Sequence, residues 1–294
     1  MKTAIRSLLL GLAAALCIIG TTLYPLPDAT AQSKAPPTVA QAGDDIYTAS
    51  VEMGLDYFRA QAADQLPLVQ TLLSVLQEGD LDAAKMAYIA ARPPYERIEV
   101  LAGSFEQEDS DIDARPYAFD EGEASPEFVG FHRIEALLFR DGDVTAAVPY
   151  AEGLIASVES LIDQLNTPAN FSAALNFEGI IALATEVPAK KISSEEETWS
   201  DQSLLIFQNN WIGIYSQVKP FESFLGADVM AEIDAAYAAC MASIEPFYVD
   251  DSSVPAPYST VTMAQRKLIS DAGYQLRDAV VRAAESLGLA EAGV

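Results

Sequence analysis

The sequence predicts an all-α fold made of two helical bundles. Three observations predict it. Apolar residues recur at three- and four-residue steps over most of the chain beyond residue 46. No stretch alternates apolar and polar residues between hairpin turns. A polar break at residues 191–200 divides the helical part, so a first bundle is expected over 46–198 and a second over 199–294, each with short antiparallel connections.

Charge narrows the function classes. The 294 residues carry 43 Asp and Glu against 17 Lys and Arg, a formal net charge of −26. Such a surface repels nucleic acid and anionic lipid and attracts cations. The same charge would also simply keep an exported protein soluble. Residues 1–31 read as an export signal: Lys2 and Arg6 lead an apolar run over 8–19 that is too short for a membrane span, and Ala29-Thr30-Ala31 is a small-x-small cleavage site. No stable membrane insertion is expected after cleavage. Cys17 leaves a lipoprotein as an alternative, although Leu16 before it is bulky for such a signal; an uncleaved anchor is another. Residues 32–45 are a Pro-, Ala- and Gln-rich flexible leader. Beyond the signal only Cys240 remains, in an Ala-rich run, so no intramolecular disulfide can form and packing must hold the fold.

The elements follow in order. Val51, Leu55, Phe58 and Ala62 begin a helical stripe; Pro67 predicts a kink or a fresh start near Asp64, and Val69, Leu72, Leu73 and Leu76 lead to a stop at Gly79. Asp80 is the expected N-cap of a helix over 81–91. Pro93-Pro94 predicts an interruption and a new helical stretch over 94–102. The acidic run 107–115 is a loop or short helix, and 117–124 is irregular. Ser125-Pro126-Glu127 reads as a helix start, with the stop at Asp141-Gly142. Helices are expected over 148–165 and 173–187, the second closed by Pro188. Phe207, Trp211 and Tyr215 lie at core spacing in a helix over 204–221. Another helix spans 226–244, and after a loop over 249–258 Ser259 or Thr260 caps a last helix ending near 287.

Chemistry concentrates around Gly130-Phe131-His132-Arg133-Ile134-Glu135. His132 is the single histidine of the chain. Three residues apart on a helix, His132 and Glu135 share a face, so an imidazole and a carboxylate can converge. The bland alternative is a satisfied core histidine beside a solvated glutamate. Glu96 and Glu99 repeat the three-residue spacing; two carboxylates that close repel unless a cation lies between them, or unless Arg92 or Arg97 pairs with them. Glu186 ends a largely apolar stretch and wants a partner. Asp113 belongs to a crowded run with Glu108, Asp109 and Asp111, for which solvation is the default.

These segments resemble the imelysin-like family, and within it the periplasmic EfeO/EfeM type linked to iron uptake. The resemblance is carried by Ala91-Arg92 with Tyr95-Glu96-Arg97-Ile98-Glu99, by Asp111-Ile112-Asp113-Ala114-Arg115, by the Gly-x-His-x-x-Glu stretch, by Glu186-Val187 with Lys191-Ile192-Ser193-Ser194-Glu195-Glu196-Glu197, and by Phe207-Gln208-Asn209-Asn210, in the family's order over roughly residues 46–290. It implies two four-helix bundles, a metal site around the histidine motif, a periplasmic location and delivery of iron to an inner-membrane permease. Where relatives usually read Tyr-Ser-His followed by Asp, this chain has Trp199-Ser200-Asp201-Gln202-Ser203, which counts against a second metal site there.

Residue chemistry and resemblance together give Glu96, Glu99, Asp113, His132, Glu135 and Glu186 as the candidate metal ligands, with Asp111 or Glu195 able to replace Asp113 or Glu186. One nitrogen among many oxygens suits iron or manganese, with zinc or copper able to compete by intrinsic affinity. No catalytic residue is assigned. The family also carries a metallopeptidase label, yet the His-Glu-x-x-His zinc helix needs two histidines. A peptidase, or a partner-binding helical module with a structural polar cluster, are the competing functions.

Overall fold

Helix α1, Thr48–Glu78, buries Val51, Leu55, Phe58, Ala62, Val69, Leu72 and Leu76 along one stripe and ends where Gly79 turns left-handed at φ 81°. The computed structural model describes residues 45–166, 171–194, 196–249 and 252–289; the expected export signal, the leader through residue 44 and Glu195 lie outside the described residues. Pro67 does not break α1. It lies on the exposed face, as does Ala63, whose carbonyl loses its helical donor to the proline, so water can serve the lost bond.

Asp80 caps α2, Leu81–Glu96, accepting from the Ala83 N–H at 3.0 Å. Pro93 and Pro94 do not restart a helix, contrary to the sequence expectation. The α-helix runs through both to Glu96 and tightens into a 3₁₀ turn only at Glu99–Ser104. Arg92 and Glu96 are thereby one turn apart on a single helix. Helix α3 is Glu106–Asp113, from the acidic run. Helix α4, Gly130–Glu135, begins five residues after Ser125, which instead turns the chain by accepting from the Glu127 N–H at 3.2 Å. A π-helical turn, Ala136–Asp141, extends α4 to a left-handed Gly142.

Helix α5 is Val144–Asn166 and α6 is Ala173–Glu186. Pro188 ends α-helical geometry without stopping the coil. A π turn, Val187–Lys191, and one further turn, Ile192–Ser194, carry the path on. Helices α7, Ser203–Val218, and α8, Ala227–Ile244, follow. The last helix, α9, Met263–Leu287, is capped by Thr262 in a reciprocal box with Gln265, not by Ser259 or Thr260; those two sit in a 3₁₀ turn that Ser259 ties to Asp201.

The described residues contain no strand, so the fold is all-α as expected. Helix α1 packs on α2 and α5, with α4 laid between α5 and α3. Helix α6 packs on the Glu99–Ser104 turn, α7 and α9, and α8 packs on α9 and α7, while α2 touches α7. One apolar cluster threads all these contacts. Cys240 is buried within it, and burial pushes its thiol up to about 12. Among the described residues no helix is long and apolar enough to cross a membrane.

Candidate metal centre

Four segments meet at His132: the end of α2, the end of α3, helix α4, and the segment after α6's extension. Gly130 explains the first part of the histidine motif. Its φ of 69° and its position against α3 leave no room for a side chain; a Cβ there would lie 2.3 Å from the Ile112 carbonyl oxygen and 2.6 Å from that of Asp111. This close approach brings His132 beside Asp113. Their nearest atoms, Nε2 and Oδ1, are 3.5 Å apart.

The other imidazole nitrogen, Nδ1, lies 3.1 Å from Glu135 Oε2. Glu135 is held in turn, since its Oε1 accepts from the Trp199 and Ser200 backbone N–H groups, both at 2.8 Å. Glu197 accepts from the Tyr88 hydroxyl at 3.0 Å and the Ser200 hydroxyl at 2.6 Å. Arg92 is the hub. Only 1% exposed, it reaches Glu96 at 2.5 Å, Asp113 at 2.5 Å and Glu197 at 2.8 Å, and its guanidinium lies over the Phe131 ring. Arg115 pairs with Glu196, and Lys191 bridges Glu99 at 2.6 Å and Glu196 at 3.0 Å. Asn210 Nδ2 donates to Glu96 at 3.0 Å and Glu99 at 2.7 Å.

Six carboxylates (Glu96, Glu99, Asp113, Glu135, Glu196, Glu197) thus surround three cations (Arg92, Arg115, Lys191). The deficit of positive charge appears in the protonation equilibria. Burial pushes Glu96 well above the usual carboxylate range, Arg92 opposing it only in part. Burial also pushes Glu135 well up, with Glu197 adding to the shift. For Asp113, burial acts upward but Arg92 and the cations behind it win and hold it low. Burial holds the imidazole well below the usual histidine range, with Asp113 favouring its charge and Arg115, Arg92 and Lys191 opposing it.

A neutral His132 beside Glu135 makes a proton switch. With Glu135 protonated, its O–H donates to Nδ1 and the ring proton sits on Nε2. With Glu135 ionised, Nδ1–H donates to the carboxylate and Nε2 is bare. Nε2 has no hydrogen-bond partner and is buried. Two groups can each hold an ion, with ligand atoms within 4.8 Å of one another: Asp113, His132 and Glu196, or His132, Glu135 and Glu197. Two ligands about 2.1 Å from a shared ion stand roughly 3.0–3.5 Å apart, matching the His132–Asp113 separation. In the second group Glu135 and Glu197 accept from backbone N–H groups and from hydroxyls, whereas in the first Asp113 and Glu196 pair with Arg92, Arg115 and Lys191, and Asp113 lies nearest the Nε2 nitrogen.

Of the six residues expected from sequence, the fold gathers Asp113, His132 and Glu135 into these groups. Glu96 and Glu99 stand beside them, bonded to Arg92, Lys191 and Asn210. Glu186 lines an open cleft with Glu99 and Glu178 and belongs to neither group. Asp111 accepts from Gln107 on its own helix. Sequence reasoning read Glu196 and Glu197 as part of a polar connection; the turn after Ser194 folds them inward, both at most 3% exposed. No periodicity announces that, because they lie in no regular helix. Arg92 stands in the sequence as part of a segment that carries the resemblance and as a partner for Glu96 or Glu99, not as the hub of the cluster.

Residues 54–287 match the family model described as Imelysin. The iron uptake system component EfeO of Escherichia coli (strain K12) is 33% identical over 182 residues, which cover 61% of this chain and 48% of that relative. Its counterpart in Shigella flexneri matches to the same extent, as does that of Shigella boydii serotype 4. The chain spans about half the length of these curated relatives. By its family-wide match, this chain belongs to the imelysin family.

Proposed function

We propose that this chain is an exported, periplasmic protein that binds iron at the Asp113–His132–Glu196 group and serves an iron-uptake system, passing the ion to an inner-membrane permease. The observation that supports it most is the buried, unpartnered Nε2 of the only histidine, facing carboxylates in a cluster where acids outnumber bases. A hard or borderline cation answers both deficits. Iron in either oxidation state, or manganese, suits one imidazole and several carboxylates; zinc and copper compete by intrinsic affinity. Glu135 orients the ring from behind, as a carboxylate does for a metal-bound histidine. Among relatives of similar sequence, those named above are iron-uptake components.

The ion is cargo in this reading. Arg92, Arg115 and Lys191 keep the cage folded without it and moderate its grip. Titration of metal-free protein with Fe(II) under anaerobic conditions tests the assignment. One ion should bind per chain, and His132→Ala should abolish binding. Elemental analysis of protein taken from its native compartment names the metal. Binding unaffected by His132→Ala would refute the assignment.

A further inference from the structure

We propose that Lys191 is a resident cation standing in the path of the metal ion, and that the ion arrives through the cleft between α6 and the Glu99–Ser104 turn and exchanges places with the Lys191 ammonium. This route rests on the metal-binding reading above and adds to it the path and the group displaced.

The Lys191 side chain is 1% exposed, yet its ammonium touches two different compartments. On one side it bonds both oxygens of Glu99, at 2.6 and 2.8 Å. Glu99 forms part of the wall of an open cleft of about 230 Å³, together with Glu178 and Glu186. On the other side it lies 3.0 Å from Glu196, which shares the candidate metal group with His132 and Asp113. Lys191 is therefore the cation that links a wall of the cleft, through Glu99, to the group around His132, through Glu196, where Arg115 also pairs.

The cleft itself is shaped to conduct a cation. Glu178, Ala182 and Glu186 recur at four-residue steps on α6, so they form one wall. Gly179 lets that helix lie against the opposite wall; a Cβ there would sit 2.0 Å from the Val100 carbonyl oxygen. Glu178 is exposed and Glu186 half-buried, and both line the cleft together with Glu99. A divalent ion at the Lys191 position serves Glu99 and Glu196 with twice the charge. The displaced ammonium, on a flexible four-carbon stem that begins at the end of the π turn, swings outward to Glu178 and Glu186 and regains water.

The full chain tests this with Mn(II) and Fe(II). Amine acetylation, read peptide by peptide by mass spectrometry, should find Lys191 protected in metal-free protein and labelled at least tenfold faster with the metal bound, while the exposed Lys267 is labelled equally in both. In stopped-flow mixing, Glu178→Gln with Glu186→Gln should slow association several-fold at low salt, with the difference vanishing at high salt. Lys191 protection unchanged by a bound metal would overturn the exchange. Association unaffected by the double variant at low salt would overturn the route. A wild-type protein that binds neither ion overturns the metal-binding reading and this one together, whereas normal binding lost in His132→Ala leaves the first standing whatever the labelling shows.

Discussion

Glu135→Gln is the sharpest perturbation of the centre, because it changes a proton and almost no volume. The Trp199 and Ser200 N–H groups, both 2.8 Å from Glu135 Oε1, require an acceptor there, so the glutamine carbonyl must take that place. Its amide NH₂ then faces His132 Nδ1, where Glu135 Oε2 stood at 3.1 Å. The amide donates to Nδ1 and fixes the ring proton on Nε2, the nitrogen that a metal needs bare. To bind, the variant must flip its amide and set an NH₂ against two backbone donors. Leaving both donors without an acceptor costs about 2–6 kcal/mol, since each unsatisfied buried donor costs roughly 1–3 kcal/mol. That is a loss in affinity of roughly 30-fold at the low end and about 10,000-fold or more at the high end.

Two assays check it. Calorimetry gives the affinity across pH. Wild-type binding should strengthen as pH rises through the elevated range of Glu135, because the ion displaces that proton, whereas Glu135→Gln should have no such proton to lose. Nitrogen-15 NMR sees His132 alone, the chain having one histidine, and should report the ring proton moving to Nδ1 when wild type binds metal. Folding should be unharmed, as Gln copies the neutral form that burial already favours. An affinity within threefold of wild type, with the same pH dependence, would refute the reasoning.

Other perturbations probe the frame. Gly130→Ala must hold a left-handed φ and push a Cβ into the Ile112 carbonyl, so thermal melting should show a loss of about 3 kcal/mol or more, with metal affinity falling as His132 parts from Asp113. Arg92→Met strands three buried carboxylates and should destabilise metal-free protein by about 3–5 kcal/mol in denaturant unfolding; added metal should recover more stability in the variant than in wild type. Burial raises the Asp109 carboxyl to about 7 against the Tyr95 hydrogen bond, with Asp113 and Glu99 adding to the rise. A raised carboxyl stabilises the fold while protonated in the native state. That contribution is whole below the unfolded value near 3.8 and is lost as pH climbs through about 7. Asp109→Asn should therefore match wild type near pH 4 and exceed it by roughly 2–4 kcal/mol at pH 8, read from melting across pH.

What could be read from sequence divides along a physical line. Helices came from periodicity, which tracks the buried stripe of α1 and the aromatic steps of α7 faithfully. Boundaries at proline did not. Pro67, Pro93 and Pro94 each remove a donor, but the cost depends on whether the orphaned carbonyl meets water, and that is a tertiary fact. The Pro188 stop failed for a related reason, since the coil loosened into a π turn and continued. At the site, His132, Glu135 and Asp113 stood out as chemistry at helical spacing or in a motif. Glu196 and Glu197 did not, because an acidic run in a connection looks the same solvated or buried. Only the inward turn that places Lys191, Glu196, Glu197 and Ser200 in the interior distinguishes the two.

That inward turn also explains how so acidic a centre can fold before any ion arrives. Carboxylates crowded in a low-dielectric interior must be neutralised by protons, by side-chain cations or by a metal. All three means converge here: elevated Glu96 and Glu135, the buried Arg92, Arg115 and Lys191, and an imidazole with one nitrogen unpartnered. Protons and a lysine can leave; Arg92, held by three carboxylates and stacked on Phe131, cannot without dismantling the core. Under the function proposed above, a metal entering this cage would exchange against mobile positive charge while the walls stay fixed. Its affinity would then be set by the difference between two occupied states.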